Sequence, residues 1–156
     1  MKLICTLLVV EDIEKSKAFY MNILGQKIKF DFGENITFEG DFAIHKKSHY
    51  KNLIGNLEIK HGENNVELYF EYNDVDEMEQ ELAQKGIEFV HKTKEQPWRQ
   101  KVLRIYDPDK YIVEIGESLA HLSYRLSEEG IEEKEIAKII GITVEMVKEG
   151  IRKFKK

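Results

Sequence analysis

Thr6-Leu7-Leu8-Val9-Val10-Glu11-Asp12-Ile13 and Leu68-Tyr69-Phe70-Glu71-Tyr72-Asn73-Asp74-Val75 are two versions of one phrase. In each, an apolar strand-like run meets an acidic turn and an amphipathic helical pattern follows. The helical pattern closes at Gly25 in the first copy and at Gly86 in the second, and another β-rich run follows, residues 26–32 and 87–90. Self-similarity of this kind marks a duplicated supersecondary unit that does not bury its apolar face alone. Two such units side by side leave a cleft, and clefts are where small molecules bind.

Outward from the first copy, residues 2–10 are rich in Leu, Ile and Val and suit a strand buried on both faces. Asp12 is a good cap for a helix running to Leu24, with Ile13, Phe19, Tyr20 and Ile23 on its apolar face. Three strands are expected next, at 27–31, 36–39 and 42–46, with Gly33-Glu34-Asn35 and Gly40-Asp41 as the turns. The connector, residues 49–65, carries one short strand at 57–60. The second copy repeats the order: strand 66–72, a helix capped by Asp74 and running to Lys85, then strands 87–91, 101–106 and 111–115. Asp107-Pro108-Asp109-Lys110 is the turn between the last two. From Glu117 onward the period is helical, with helices at 119–126, 132–140 and 144–154 separated by Gly130 and Gly141. Some forty residues struggle to hold a core unaided, so this tail is expected to pack on the body or across a dimer.

Composition narrows the function classes. No apolar run approaches the ~20 residues of a membrane span, and Met1-Lys2-Leu3 leads straight into a strand pattern with neither an h-region nor a cleavage site, so no signal peptide is expected. A single cysteine excludes an internal disulfide and fits a reducing cytoplasm. The net charge of −5, with Lys and Arg scattered, offers nucleic acid no global basic footprint.

Two strand–helix–three-strand modules, the helix start Asp12-Ile13-Glu14-Lys15-Ser16-Lys17-Ala18-Phe19-Tyr20, and Tyr106-Asp107-Pro108-Asp109 ahead of Ile112-Val113-Glu114-Ile115 resemble the vicinal oxygen chelate superfamily of glyoxalases, bleomycin-binding proteins, fosfomycin-modifying enzymes and extradiol dioxygenases. The resemblance implies an α+β fold. Two tandem βαβββ modules, about 1–48 and 65–117, would form a curved half-open mixed sheet around a cleft in a domain of residues 1–117, and 118–156 would be a helical extension. It also implies a homodimer and a small organic ligand. One scaffold of this kind hosts several chemistries.

Metal-dependent members take two ligands from each module, one on its first strand and one on its last. Carried over, these positions fall on Cys5, His45, Glu67 and Glu114, where the superfamily pattern resembles His, Glu, His, Glu; only Glu114 keeps both place and type. Thiolate, imidazole and carboxylate all suit zinc, nickel, manganese or iron. One reading is therefore a divalent metal supporting lyase or isomerase chemistry, with Glu114 as ligand and base. The other is a site without metal, in which Cys5 is a small hydrophobe and the acids are paired or solvated. Tyr69, Trp98, Arg99 and Tyr106 are the candidate ligand-binding residues: aromatic surface for stacking, and a cation where the superfamily often has glycine. Trp98 stands out because a lone Trp in the polar loop Glu95–Gln100 has little structural excuse. His91, His49 and His61 show no partner at fixed spacing. In the tail, Ala137 through Val147 resembles a helix-turn-helix, which keeps a ligand-sensing regulator open as a further alternative. Against DNA binding, residues 117–156 balance eight acidic with eight basic side chains. The composite expectation is a cytoplasmic, dimeric, glyoxalase-like protein that binds a small molecule, as enzyme or as non-catalytic binder.

Overall fold

The computed structural model describes residues 1–155. The chain forms two units: Met1–Val66 with Asp107–Tyr111, and Glu67–Tyr106 with the chain from Ile112 on. Lys156, the last residue of the expected extension, lies outside the described residues.

The first unit begins with β1 (Thr6–Val10), shorter than the expected 2–10. Its partner ends first: Thr6 sits opposite Phe42, and the chain before Phe42 turns away at Asp41 with φ 56°. Leu3 and Ile4 therefore have no ladder to join and stay exposed. Asp12 accepts hydrogen bonds from the amides of Glu14 and Lys15 and starts α1 (Ile13–Asn22). Strands β2 (Ile28–Asp31), β3 (Asn35–Phe38) and β4 (Phe42–Lys46) complete a sheet of order β1-β4-β3-β2, with β1 and β4 parallel and the other pairs antiparallel. Tyr20, fully buried on α1, packs on Phe38 and Phe42 with ring centroids 5.6 and 5.0 Å away.

Two expectations in the connector fail. Lys47–Leu53 is a helix, α2, with no buried residue, so no apolar stripe advertised it. Residues 57–60 form no strand, because alternation alone does not supply a pairing partner.

The turn Asp107–Tyr111 belongs to this first unit. Asp107 accepts from the Tyr20 hydroxyl at 2.8 Å and from the amides of Asp109 and Tyr111; Asp109 accepts from the Glu11 amide and the Ser16 hydroxyl at 2.8 and 3.0 Å. Ser16 is fully buried on the α1 face for this reason, a polar member that an apolar stripe could not announce. Burial raises the carboxyl of Asp107 above its ordinary value, and the hydrogen bonds offset this only in part. A raised acid binds more protons folded than unfolded, so its stability contribution is present at low pH and is lost as pH rises through the folded value. Asp107→Asn keeps an acceptor for the two amides and removes the charge. The variant should be at least as stable as wild type at pH 7, with that advantage vanishing below the ordinary aspartate range in denaturation curves taken against pH.

The second unit repeats the topology. β5 (Glu67–Glu71) is followed by α3 (Val75–Gln84), whose cap Asp74 accepts from the Glu77 amide, and then by β6 (Phe89–Glu95), β7 (Lys101–Tyr106) and β8 (Ile112–Gly116). The order is β5-β8-β7-β6, with β5 and β8 parallel. Val75, Leu82, Leu103, Ile105, Val113 and Ile115 are buried, so strand alternation places Glu67, Tyr69, Arg104 and Glu114 on the other face.

Three helices follow: α4 (Leu119–Glu128), α5 (Glu133–Ile140) and α6 (Val144–Phe154). They hold a cluster of their own, Leu122, Leu126, Ile136, Ala137 and Val147, and lie in one unit with the second sheet, as a tail that packs on the body would. Close approach makes this possible: α6 crosses α4 where Gly150 meets the backbone of Ala120. Polar bonds tie the helices to the sheet, chiefly through Glu117. Its carboxylate is almost fully buried and accepts from the Lys101 amide, from His121 and from Arg125. Among the described residues, no helix is long and apolar enough to cross a membrane.

Candidate functional site

The register of the second sheet builds a row of functional side chains. Tyr69 lies opposite Glu114, Glu114 opposite Arg104, and Arg104 opposite His91, so four neighbouring strands place four polar groups at one level of one face. Glu67 joins them from two residues before Tyr69.

Arg104 organises the row. Its Nε donates to Glu67 Oε2 at 2.7 Å, its Nη2 pairs with Glu114, and its Nη1 lies 3.1 Å from His91 Nε2. An arginine only donates and a carbonyl only accepts. His91 Nδ1, 2.8 Å from the Lys92 carbonyl, therefore carries the ring proton, and Nε2 offers its lone pair to Arg104.

A second chain of bonds fixes the aromatic residues. Trp98 Nε1 donates to Gln100 Oε1 at 2.8 Å, and Gln100 Nε2 donates to the Tyr69 hydroxyl at 3.1 Å and to the Glu117 carbonyl at 2.8 Å. The indole can only donate and the carbonyl only accept, so the orientation of the Gln100 amide is dictated. Tyr69 lies against Gly116, where a Cβ would come within 3.1 Å of the ring; the glycine is there because the ring is. Burial and the charge of Glu71 raise the Tyr69 phenol above its usual range, so it remains protonated at neutral pH. Both aromatics keep open surface, 47% for Tyr69 and 41% for Trp98.

Of the other expected ligand-binding residues, Tyr106 stands two residues beyond Arg104 on β7, opposite Ile112. Arg99 faces the helical tail instead: with φ 70°, a glycine-like backbone, it donates to Glu95 at 2.6 Å and to Glu129 at 3.0 Å.

Three of the four positions carried over as metal ligands are engaged elsewhere. Glu67 and Glu114 share Arg104. On β4 of the first sheet, buried His45 has Asn35 Nδ2 at 3.1 Å from its Nδ1 and His49 Nδ1 at 2.7 Å from its Nε2, so both ring nitrogens are taken. Burial, then the neighbouring His49, lowers the His45 imidazole below its ordinary value. Cys5 is half-buried and precedes β1. His45 is level with Val9, four residues and about 13 Å of extended chain from Cys5. The structure does not bring Cys5 and His45 together, and among the described residues no group of three or more His, Cys, Asp or Glu side chains is placed to hold a metal ion. As arranged, these donors do not fit one.

Gln100 and Arg104 are the residues that the sequence did not single out. An arginine inside the otherwise apolar run Val102–Ile105 is the available signal, since a charge on a buried strand needs a partner.

Comparison with known proteins agrees with the architecture. Residues 3–120 match the family model described as a glyoxalase-like domain. No curated protein matches the chain. A solved protein of unknown function from Agrobacterium tumefaciens str. C58 is 40% identical over 76% of this chain and 94% of its own, with a TM-score of 0.69. A glyoxalase/bleomycin resistance protein/dioxygenase from Nocardioides is 22% identical over 75% of this chain and 83% of its own (TM-score 0.60). A lactoylglutathione lyase from Agrobacterium tumefaciens is 22% identical over 75% and 93% (TM-score 0.59); at this identity the last two speak to fold alone.

Proposed function

Because the chain belongs to the glyoxalase-like domain family, we propose that it is a cytosolic, homodimeric protein that binds a small organic molecule on the polar face of its second sheet. The observation that carries this is the bonded chain Trp98–Gln100–Tyr69, which presents two fixed, half-open aromatic rings beside the Glu67–Arg104–Glu114 charge cluster. Rigid aromatic surface next to a few oriented polar groups is what a small-molecule site needs. Tyr69 and Trp98 stack on the ligand, Tyr106 extends the same face, and Glu114, opposite Tyr69 in the strand register, is the acid for any proton exchange.

The reading is metal-free, since the acids serve Arg104 and His45 serves Asn35 and His49. Elemental analysis of untagged protein beside a Cys5→Ala, His45→Ala double variant tests this: near-stoichiometric metal in wild type, lost in the variant, reinstates the four-residue centre. A DNA-reading tail gains no support, because Lys148 pairs with Glu133 and α6 also exposes Glu145 and Glu149.

Trp98 is the chain's single tryptophan, so its emission reports on the site. Bleomycin, fosfomycin and a glutathione hemithioacetal are the first titrants. We expect one of them to change Trp98 emission and raise Tm, and Tyr69→Phe and Trp98→Phe each to weaken its binding about tenfold. A titrant that stabilises wild type and both variants equally binds elsewhere and defeats this assignment.

A further inference from the structure

Three potential metal donors converge on Arg104 from one sheet: Glu67 on β5, Glu114 on β8 and His91 on β6. Two carboxylates and an imidazole lone pair aimed at one positive group are the donor set of a divalent first-row ion. Here the positive group is a guanidinium, wider than a metal ion, and it holds the donors apart. This explains how the set coexists with the absence of a metal-holding cluster among the described residues.

We propose that Arg104 is the resident cation of a Glu67/Glu114/His91 site, a side-chain replacement for a divalent ion. The site lies within the second unit and uses neither Cys5 nor His45. It follows that wild type needs no metal to balance this face and does not respond to chelators. It also follows that removing the guanidinium turns the same three donors toward a free ion. This inference is independent of which organic molecule the face binds.

Burial of the acid favours the assignment. Glu114 is buried, with only 11% of its side chain accessible, and a carboxylate there needs a cation close by. Glu67, more open at 39%, and Arg104, at 27%, form the mouth of the cluster. The fixed tautomer of His91, with its lone pair on Nε2, is the form that ligates a metal.

The test compares chelator-stripped wild type, Arg104→Lys, Arg104→Gln and Arg104→Gln/Glu114→Gln, with zinc, nickel and manganese chlorides as probes and Tm with calorimetric titration as readouts. Wild type and Arg104→Lys should show no metal response that depends on Glu114. Arg104→Gln should melt below wild type and recover by roughly 5 °C or more when one of the ions is present at a hundredfold excess over its Kd. That recovery should be absent from the double variant. An ion that stabilises wild type through Glu114 overturns the proposal. So does an Arg104→Gln protein that no ion stabilises beyond the double variant. If Arg104→Gln does not fold alone, refolding with and without zinc decides: recovery only with zinc supports the proposal, and none with either overturns it.

Discussion

Glu117→Ala should lower the unfolding free energy by about 3–5 kcal/mol, the cost of breaking a buried ion pair by removing one partner. Glu117 directly follows the last strand, and only 1% of it is accessible. Both carboxylate oxygens are used: one accepts from the Lys101 amide at 3.0 Å and Arg125 Nη2 at 2.6 Å, the other from His121 at 3.0 Å and Arg125 Nε at 3.2 Å. Arg125 also donates to the Arg99 carbonyl at 2.6 Å, so losing the acid loosens the helices from the sheet and leaves the guanidinium only its more open partners Glu129 and Glu95. Arg125→Ala should cost a similar amount, because it takes the permanent cation from a buried acid and leaves it only the Lys101 amide and His121. The double variant should lose clearly less than the sum of the two, and urea midpoints measure all three. Strict additivity would mean that the pair is not coupled. The pH dependence has a definite sign. Burial acts to raise the Glu117 carboxyl, but Arg125, the Lys101 amide and His121 outweigh it and hold the group below its ordinary value. Its contribution is therefore fully present above the ordinary glutamate range and is lost as pH falls through the folded value. Glu117→Ala should flatten that part of the acid limb.

Gly150→Ala should destabilise by about 2 kcal/mol, or roughly 4–8 °C in Tm, although alanine in a helix is ordinarily worth up to ~1 kcal/mol more than glycine. The sign reverses because a Cβ at position 150 would lie 2.9 Å from both Cα and O of Ala120 and 3.2 Å from the Ser123 Cβ. The first two are backbone atoms and cannot rotate aside, so α6 must move off α4. That movement opens the cluster of Leu122, Leu126, Ile136 and Val147. Glu149→Ala, on the exposed side of the same helix, controls for propensity and should be neutral. A Gly150→Ala protein as stable as that control would show that the crossing tolerates the extra carbon.

Much of the fold was legible because it rests on local patterns. Phe42–Lys46, Lys101–Tyr106 and Val144–Phe154 lie where alternation and helical period put them, and Asp12 and Asp74 cap as their chemistry requires. The polar helix at Lys47–Leu53 carries no such pattern and stayed hidden. Site residues were legible as types more than as partners. Tyr69 and Trp98 come together only through Gln100, and Glu67 and Glu114 only through Arg104. Such pairings depend on strand register, which a one-dimensional pattern fixes poorly for a face that is half polar. Aligning the two halves by sequence set His45 beside Cys5 in role; the ladder sets it beside Val9.

The hydroxyls of Ser16 and Tyr20 wait for carboxylates that come 93 and 87 residues later in the chain. During synthesis, α1 and its sheet emerge first, yet their last polar groups are satisfied only when Asp107 and Asp109 appear, after Glu67–Tyr106 has been made. At about 5–20 residues per second, that intervening run of forty residues delays completion by roughly 2–8 s. The early half spends this interval with buried-to-be hydroxyls still turned to water. A duplicated sequence thus does not yield two independent products, since the older half of each new chain is finished by the younger.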